Sequence, residues 1–186
     1  PYTIGNDLAE QLGDPVVPTD DSAFTQAVAS VEDQTSRWLA IGGTRSVDHF
    51  HRELGRLVWE HVGMSRNRAG LKKALSEITA LISEFNTDVR ILGSADTLNA
   101  SLEKSGRVAE FFELAELMAR DALEREESWG GHFREEHQTR EGEAQRDDKN
   151  FTHVAAWSWE GPDTVQTRHE EELIFENVTP TQRNYK

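Results

Sequence analysis

Apolar residues recur at helical spacing along much of the chain. From Ser46, a candidate N-cap, the residues Val47, Phe50, Leu54, Leu57, Val58, His61 and Val62 fall on one helical face. After Gly63 the spacing repeats at Leu71, Ala74, Leu75, Ile78, Leu81, Ile82, Phe85 and Val89, close to a coiled-coil seam. Gly93 and Ser94 predict a C-cap followed by an N-cap. They open a third segment, from Ala95 to about Ser128, with Leu98, Leu102, Ala109, Phe112, Ala115, Met118, Ala119 and Ala122 as its apolar face and Gly106 as its weak point. Unbroken, it would be about 50 Å long. Three narrow-striped helices with short connections predict a mainly α fold, an antiparallel three-helix bundle of the spectrin-repeat kind.

The flanks read differently. Asp20, Asp21 and Ser22 offer N-caps to a further helix carrying Phe24, Val28, Val31, Trp38 and Leu39, which the Gly42-Gly43 pair stops. The stretch "GDPVVPTD" at 13–20 breaks the chain ahead of it, and the opening "PYTIGNDLAEQLGD" reads as the tail of a helix with Ile4, Leu8 and Leu12 on one side. From Trp129 onward "WGGHFREEHQTREGEAQRDDKN" is polar and glycine-punctuated, a loop by composition. "FTHVAAWSW" and "HEEELIFENV", around the turn "EGPD", predict a hairpin or two extended strands. The expected division is therefore 1–20, a bundle over 21–128, and an irregular, partly β segment over 129–186.

Charge and composition narrow the chemistry. In a chain of 186 residues, 34 acidic against 20 basic side chains leave a net charge of −14, which disfavours a nucleic-acid partner. With no cysteine, thiolate zinc sites, protein-ligated iron–sulfur clusters and a cysteine nucleophile are excluded within this chain. No apolar run approaches the roughly 20 residues that cross a bilayer.

The histidines are His49, His51, His61, His132, His137, His153 and His169. In "HFREEH" the two rings stand five residues apart, not the four that would aim both from one helical face at a zinc ion, so polar loop histidines are the favoured reading. There is no GxSxG elbow, no GxxxxGK loop and no GxGxxG fingerprint; "IGGTRS" is a helix-ending glycine pair before a cap. The triplets at Asn99 and Asn150 match a glycosylation acceptor only by chance. The acid-rich run around residue 127 reads as a solvated face laced with ion pairs. Directly beyond the long helix, however, Gly130-Gly131 is followed by His132 and Arg134, and two readings stand side by side: an ordinary loop, or a loop that docks onto another surface.

The string "RDALEREESWGGHFREEHQTREGEAQRDDKNF" resembles the C-terminal region of the flavoprotein subunit of succinate dehydrogenase and fumarate reductase. In that family a long helix ends in an acidic-serine pair, a glycine-rich turn, a histidine and an arginine-acid pair, matched here by Glu127, Ser128, Gly130, Gly131, His132, Arg134 and Glu135. An arginine, two aspartates and an aromatic follow, matched by Arg146, Asp147, Asp148 and Phe151. "PYTIGNDLA" resembles the end of the family's flavin-binding domain, "GTRSVDHFHRELGRLVWEHVGMSRNRAGLKKAL" the start of its helical domain, and "FENVTPTQRNYK", with Arg183, its basic-aromatic terminus. Trp129 departs from the pattern, standing where members commonly carry arginine or cysteine; an aromatic then fills that interface in place of a carboxylate anchor. The wording is closer to the bacterial subgroup.

The resemblance implies a parent enzyme that moves electrons between succinate or fumarate and quinone. It would use FAD, an iron–sulfur partner subunit carrying the clusters and, indirectly, a membrane-anchor subunit, on the cytoplasmic face of the inner membrane. It also implies that substrate and flavin are handled by flavin-binding and capping domains ahead of Pro1. This chain is then an inactive structural part that holds no catalytic, cofactor or metal residue. The loop from Glu127 to Glu135, the Arg146-Asp147-Asp148 cluster and Arg183 would tie it to the rest. Two rivals come from other classes: a free-standing acidic helical interaction module, and a metalloenzyme using the histidines.

Overall fold

The computed structural model describes residues 2–161 and 164–181. Three helices build the core: α3 (Val47–His61), α4 (Arg68–Asp88) and α5 (Ala100–Glu124), preceded by α1 (Tyr2–Gln11) and α2 (Ser22–Ile41). Each of the last four begins on a polar side chain that satisfies an orphan amide. Asp21 accepts from the Ala23 N–H at 2.8 Å, Ser46 from His49 at 3.2 Å, Asn67 from Gly70 at 2.8 Å, and Asn99 from both Ser101 and Leu102 at 3.1 Å.

Two short parallel ladders set the helix directions. β1 (Arg45–Ser46), at the entry to α3, pairs with β3 (Val89–Arg90), at the exit of α4. β2 (Ser65–Arg66), between α3 and α4, pairs with β4 (Phe133–Arg134), beyond the exit of α5. The start of α3 thus lies beside the end of α4, and the start of α4 beside the end of α5, which makes the bundle antiparallel. Its core is the predicted set of faces: Val47, Phe50, Leu54, Leu57, Leu71, Ala74, Ile78, Leu81, Phe85, Phe112, Ala115, Ala119 and Ala122 are all buried. Phe85 is the hub of an edge-on aromatic cluster, with ring centroids 5.3 Å from Phe50, 5.5 Å from Phe112 and 6.1 Å from Trp38.

The two glycines after α2 serve different ends. Gly42 closes the helix in the left-handed region at φ 60°, as a C-cap does. Gly43 lies against the end of α4, where a Cβ would stand 2.0 Å from the Asp88 carbonyl oxygen, so the α2–α3 connection reaches the bundle only because that side chain is missing.

Three expectations are corrected. The third helix starts at Ala100, not Ala95, because Asn99 does more than Ser94 can. Its carbonyl oxygen caps the helix while its amide donates to Leu92 at 2.8 Å and Ser94 at 3.1 Å, bracing the preceding loop; that amide is thereby engaged inside the fold. Leu98 consequently falls outside the helix and is fully exposed, and Met118 is turned outward, while Ser105 and Val108 occupy the core positions. The helix ends at Glu124, before Ser128. Finally, the hairpin forms from β5 (His153–Ser158) and β6 (Thr167–Glu172), so the second strand begins earlier and stops before "LIFENV". Pro162 and Asp163 of the turn, and Arg183, lie outside the described residues. The Trp157 indole N–H donates to Asp121 at 2.9 Å and fastens the hairpin to α5. No helix among the described residues is long and apolar enough to cross a membrane.

Candidate functional site

The residues singled out in sequence gather where α5 ends. A helix leaves its last carbonyls without intrahelical partners, and here Arg134, only 1% exposed, supplies the donors. Its Nη1 lies 2.8 Å from the Ala122 carbonyl, 3.2 Å from Leu123 and 3.4 Å from Arg125. A cation at this end also complements the helix dipole. Its Nε reaches Glu136 at 3.2 Å. The chain arrives there through a reciprocal clasp. The buried Ser128 hydroxyl accepts from the Arg134 N–H at 2.8 Å and donates to the Arg134 carbonyl at 3.1 Å.

Between those two residues the chain reverses in a tight turn. Trp129 and His132 exchange backbone bonds of 2.8 and 3.0 Å, and Gly130 sits at φ 59° in the first central position, which a side chain would strain. A Cβ on Gly130 or Gly131 would meet nothing within 4 Å, so neither glycine is demanded by packing inside this chain. His132 folds back to place Nε2 2.9 Å from the Arg125 carbonyl; the ring nitrogen must carry its proton to donate there. Burial lowers the His132 pKa below its ordinary 6.5, and the guanidiniums of Arg66, Arg125 and Arg134 push the same way against that hydrogen bond.

Glu127, 2% exposed, joins both halves of the loop. Its Oε1 accepts from Arg125 at 2.7 Å, and its Oε2 accepts from the Asp147 N–H at 2.9 Å. Asp147 then caps the four-residue α6 (Asp148–Phe151), a short helix within the stretch predicted as loop. Arg146 pairs with Asp148 at 2.6 Å and donates to the Thr181 carbonyl at 2.9 Å, fastening the segment around Thr181. Glu135 accepts from Ser65 at 2.9 Å and Asn67 at 2.8 Å, and Glu136 from the Arg68 N–H at 2.5 Å. Burial opposes charge on Glu136, but the Arg68 amide and the Arg134 guanidinium outweigh it and hold its carboxyl below the usual range.

Trp129 is half exposed and lies between two cations, 5.6 Å from the Arg125 guanidinium and 5.8 Å from that of Arg146. It forms one wall of a largely apolar cleft of about 220 Å³, with Phe151, Leu173, Phe175, Val178 and Pro180. Sequence reasoning missed Arg125 and Arg66 as members of this region. Arg125 touches Glu127, Trp129 and Phe151, and Arg66 reaches Gly131. The signal available was only that both are arginines flanking helix ends.

Among the described residues no group of three or more His, Asp or Glu side chains is gathered closely enough to hold a metal ion. Nor do these residues fit a dinucleotide. The chain lacks the glycine fingerprint, and its six-residue strands form an antiparallel hairpin, not a strand leading through a glycine turn into a helix. What the arrangement performs is mechanical: it terminates a long helix, locks a loop over its end, and leaves Trp129, Gly130 and Gly131 facing outward.

A helical bundle whose longest helix is capped from a downstream arginine-bearing turn defines a mainly α domain. Its family follows from comparison with known proteins. The family model described as "Fumarate reductase flavoprotein C-term" matches residues 51–185, and the chain belongs to that family. It is 26% identical over 132 residues to L-aspartate oxidase of Synechocystis sp., covering 64% of this chain and 23% of that protein. It is likewise 26% identical over 148 residues to the fumarate reductase flavoprotein subunit of Proteus vulgaris, covering 80% of this chain and 24% of that one. Among solved structures, "Quinol-Fumarate Reductase with Menaquinol Molecules" superposes with a TM-score of 0.76 over 96% of this chain and 29% of that one, at 22% identity. The Mycobacterium smegmatis Sdh1 complex in its apo form gives 0.60 at 25% identity, over 78% of this chain and 24% of the other. The chain thus spans about a quarter of the length of the curated relatives it matches.

Proposed function

We propose that this chain is the C-terminal scaffold of an FAD-dependent flavoprotein that interconverts succinate and fumarate and passes electrons through an iron–sulfur subunit to quinone. The observation that carries this reading is the family match over 51–185, which includes the whole capped turn from Glu127 to Asp148. FAD would supply the two-electron chemistry, bound by segments of the parent outside this chain. The bundle would brace those segments, and the outward face of the Trp129–His132 turn would meet them. The division into a flavin-domain remnant over 1–20, a bundle over 21–128 and a tail over 129–186 belongs to the same proposal. Its first boundary draws support from the exposure of Ile4, Leu8 and Leu12; Phe24, Val28 and Val31 are exposed too, so the first half of α2 does not pack on the bundle core.

The L-aspartate oxidase relative favours a second reading, oxidation of an amino-dicarboxylate by the same kind of parent. One experiment tests both. The reading frame is extended upstream of Pro1, the encoded protein is purified, and it is assayed for bound flavin by absorbance, for fumarate-dependent oxidation of a reduced viologen dye, and for L-aspartate oxidation. Bound flavin with fumarate turnover is the expected result, and L-aspartate turnover instead would select the second reading. A frame that encodes no flavin-binding segment would sink both and leave a free-standing interaction module.

A further inference from the structure

Arginines in this acidic chain find carboxylates. Arg45 pairs with Glu84 and Asp88, Arg68 with Glu126, Arg125 with Glu127, Arg134 with Glu136, Arg146 with Asp148, and Arg168 with Glu124. Arg66 departs from this. Among the described residues no carboxylate makes an ion pair with it; Arg52, Arg90 and Arg140 also lack one, but they stand exposed in water, whereas Arg66 is partly buried. Its Nε is buried without an acceptor, and its Nη2 makes one long contact, 3.4 Å to the Gly131 carbonyl. Desolvation and the like charge of Arg134 both disfavour its cationic form and push its pKa below that of an ordinary guanidinium. Asp121 attracts it from beyond ion-pair range, but that carboxylate already accepts from Trp157.

The surface beside Arg66 is open. Its hydrogen-bonding partner is the Gly130–Gly131 turn, whose outer face is uncovered and whose two glycines would clear any Cβ by 4 Å or more. Trp129 on the same turn is half exposed. A partly desolvated guanidinium without a carboxylate partner among the described residues, next to a turn whose two central residues carry no side chain, is the complement of a carboxylate arriving with its own apolar surroundings.

We propose that Arg66, beside the open Gly130–Gly131 turn, receives a carboxylate side chain carried by the remainder of the parent polypeptide. This rests on the reading of the chain as part of a longer flavoprotein. The curated relatives supply such a remainder, since this chain covers only 23% and 24% of two of them, and Arg66 lies inside the matched span. A second copy of this chain fits poorly, because it would bring a further charge of −14 to the contact. A small dicarboxylate fits poorly too, because the apolar cleft beside Trp129 is not lined by Arg66.

The test compares Arg66→Met, which keeps the apolar stem, in this 186-residue chain and in the parent, by thermal unfolding. In the chain alone the variant should melt at the same temperature or higher, because an uncompensated cation has gone. In the parent it should melt lower by about 4 °C or more, with Arg66→Lys recovering part of the loss. Equal shifts in both proteins, in either direction, would overturn the proposal by making Arg66 a matter internal to this chain. Saturable, Arg66-dependent quenching of tryptophan fluorescence by succinate in the 186-residue chain would overturn it in favour of a small-anion site. The melts need no flavin, so a parent that binds none removes the enzyme reading while the fate of Arg66 is still decided.

Discussion

Ser128 and Arg134 hold each other through a single hydroxyl, which accepts from the arginine N–H at 2.8 Å and donates to its carbonyl at 3.1 Å. The clasp fixes the backbone of Arg134 so that its guanidinium points back at the end of α5 and not outward. The arginine-acid pair that suggests a docking fork is, at Arg134, a helix cap directed into its own chain.

Arg134→Met should therefore destabilise the chain itself, by about 3 kcal/mol, because several α5 carbonyls lose a charged donor and Glu136 loses its partner. Urea unfolding of the 186-residue chain reads this directly. Arg134→Lys should recover only part, since one ammonium cannot span the carbonyls and the carboxylate together. A loss under about 0.5 kcal/mol, the range of ordinary surface substitutions, would refute the capping role.

Gly42 and Gly43 should respond unequally to alanine. Gly42→Ala strains a left-handed residue and should cost about 1 kcal/mol. Gly43→Ala must move the Asp88 backbone, against which its Cβ would stand 2.0 Å from the carbonyl oxygen, and should cost about 2 kcal/mol or more. The order of the two midpoints in denaturant checks this, and a reversed order would contradict the close approach.

His132 should make stability fall with acid. Folding lowers the imidazole pKa below 6.5, so the unfolded chain takes up the proton first. This contribution is intact above about pH 6.5 and is lost as pH falls through that value toward the folded pKa, at no more than about 1.4 kcal/mol per pH unit. Measured between neutral pH and pH 5, above the range where the lowered carboxylates titrate, His132→Gln should flatten the profile. Identical profiles for the two proteins would place the histidine in water.

Trp129 is held between two guanidiniums, so an arginine in its place should be harmful. Trp129→Arg would set three cations together where Arg125 and Arg146 now stack on an aromatic face. A loss of about 1 kcal/mol is expected, larger at low ionic strength. If salt leaves the loss unchanged, repulsion is not its cause.

The sequence alone determined α3 and α4 and their inward faces, because helical periodicity is local and a stripe of Leu, Ile, Phe and Ala must be buried somewhere. It also gave the cap at Ser46 and narrowed that of α2 to Asp20, Asp21 and Ser22, of which Asp21 serves, since such caps act within a few residues of themselves. The residues of the capped turn were legible as a motif. Their work was not, because each acts across distance in the chain. Arg134 serves carbonyls up to twelve residues earlier, Glu135 binds Ser65 and Asn67, and Arg66 meets Gly131 through the β2–β4 ladder. Tertiary structure also chose Asn99 over Ser94 as the cap of α5, since only Asn99 carries both an acceptor for the helix and donors for the loop before it. Spacing along the chain specifies which face turns inward, while the groups that meet at a helix end are selected by the packing of helices that are distant in sequence.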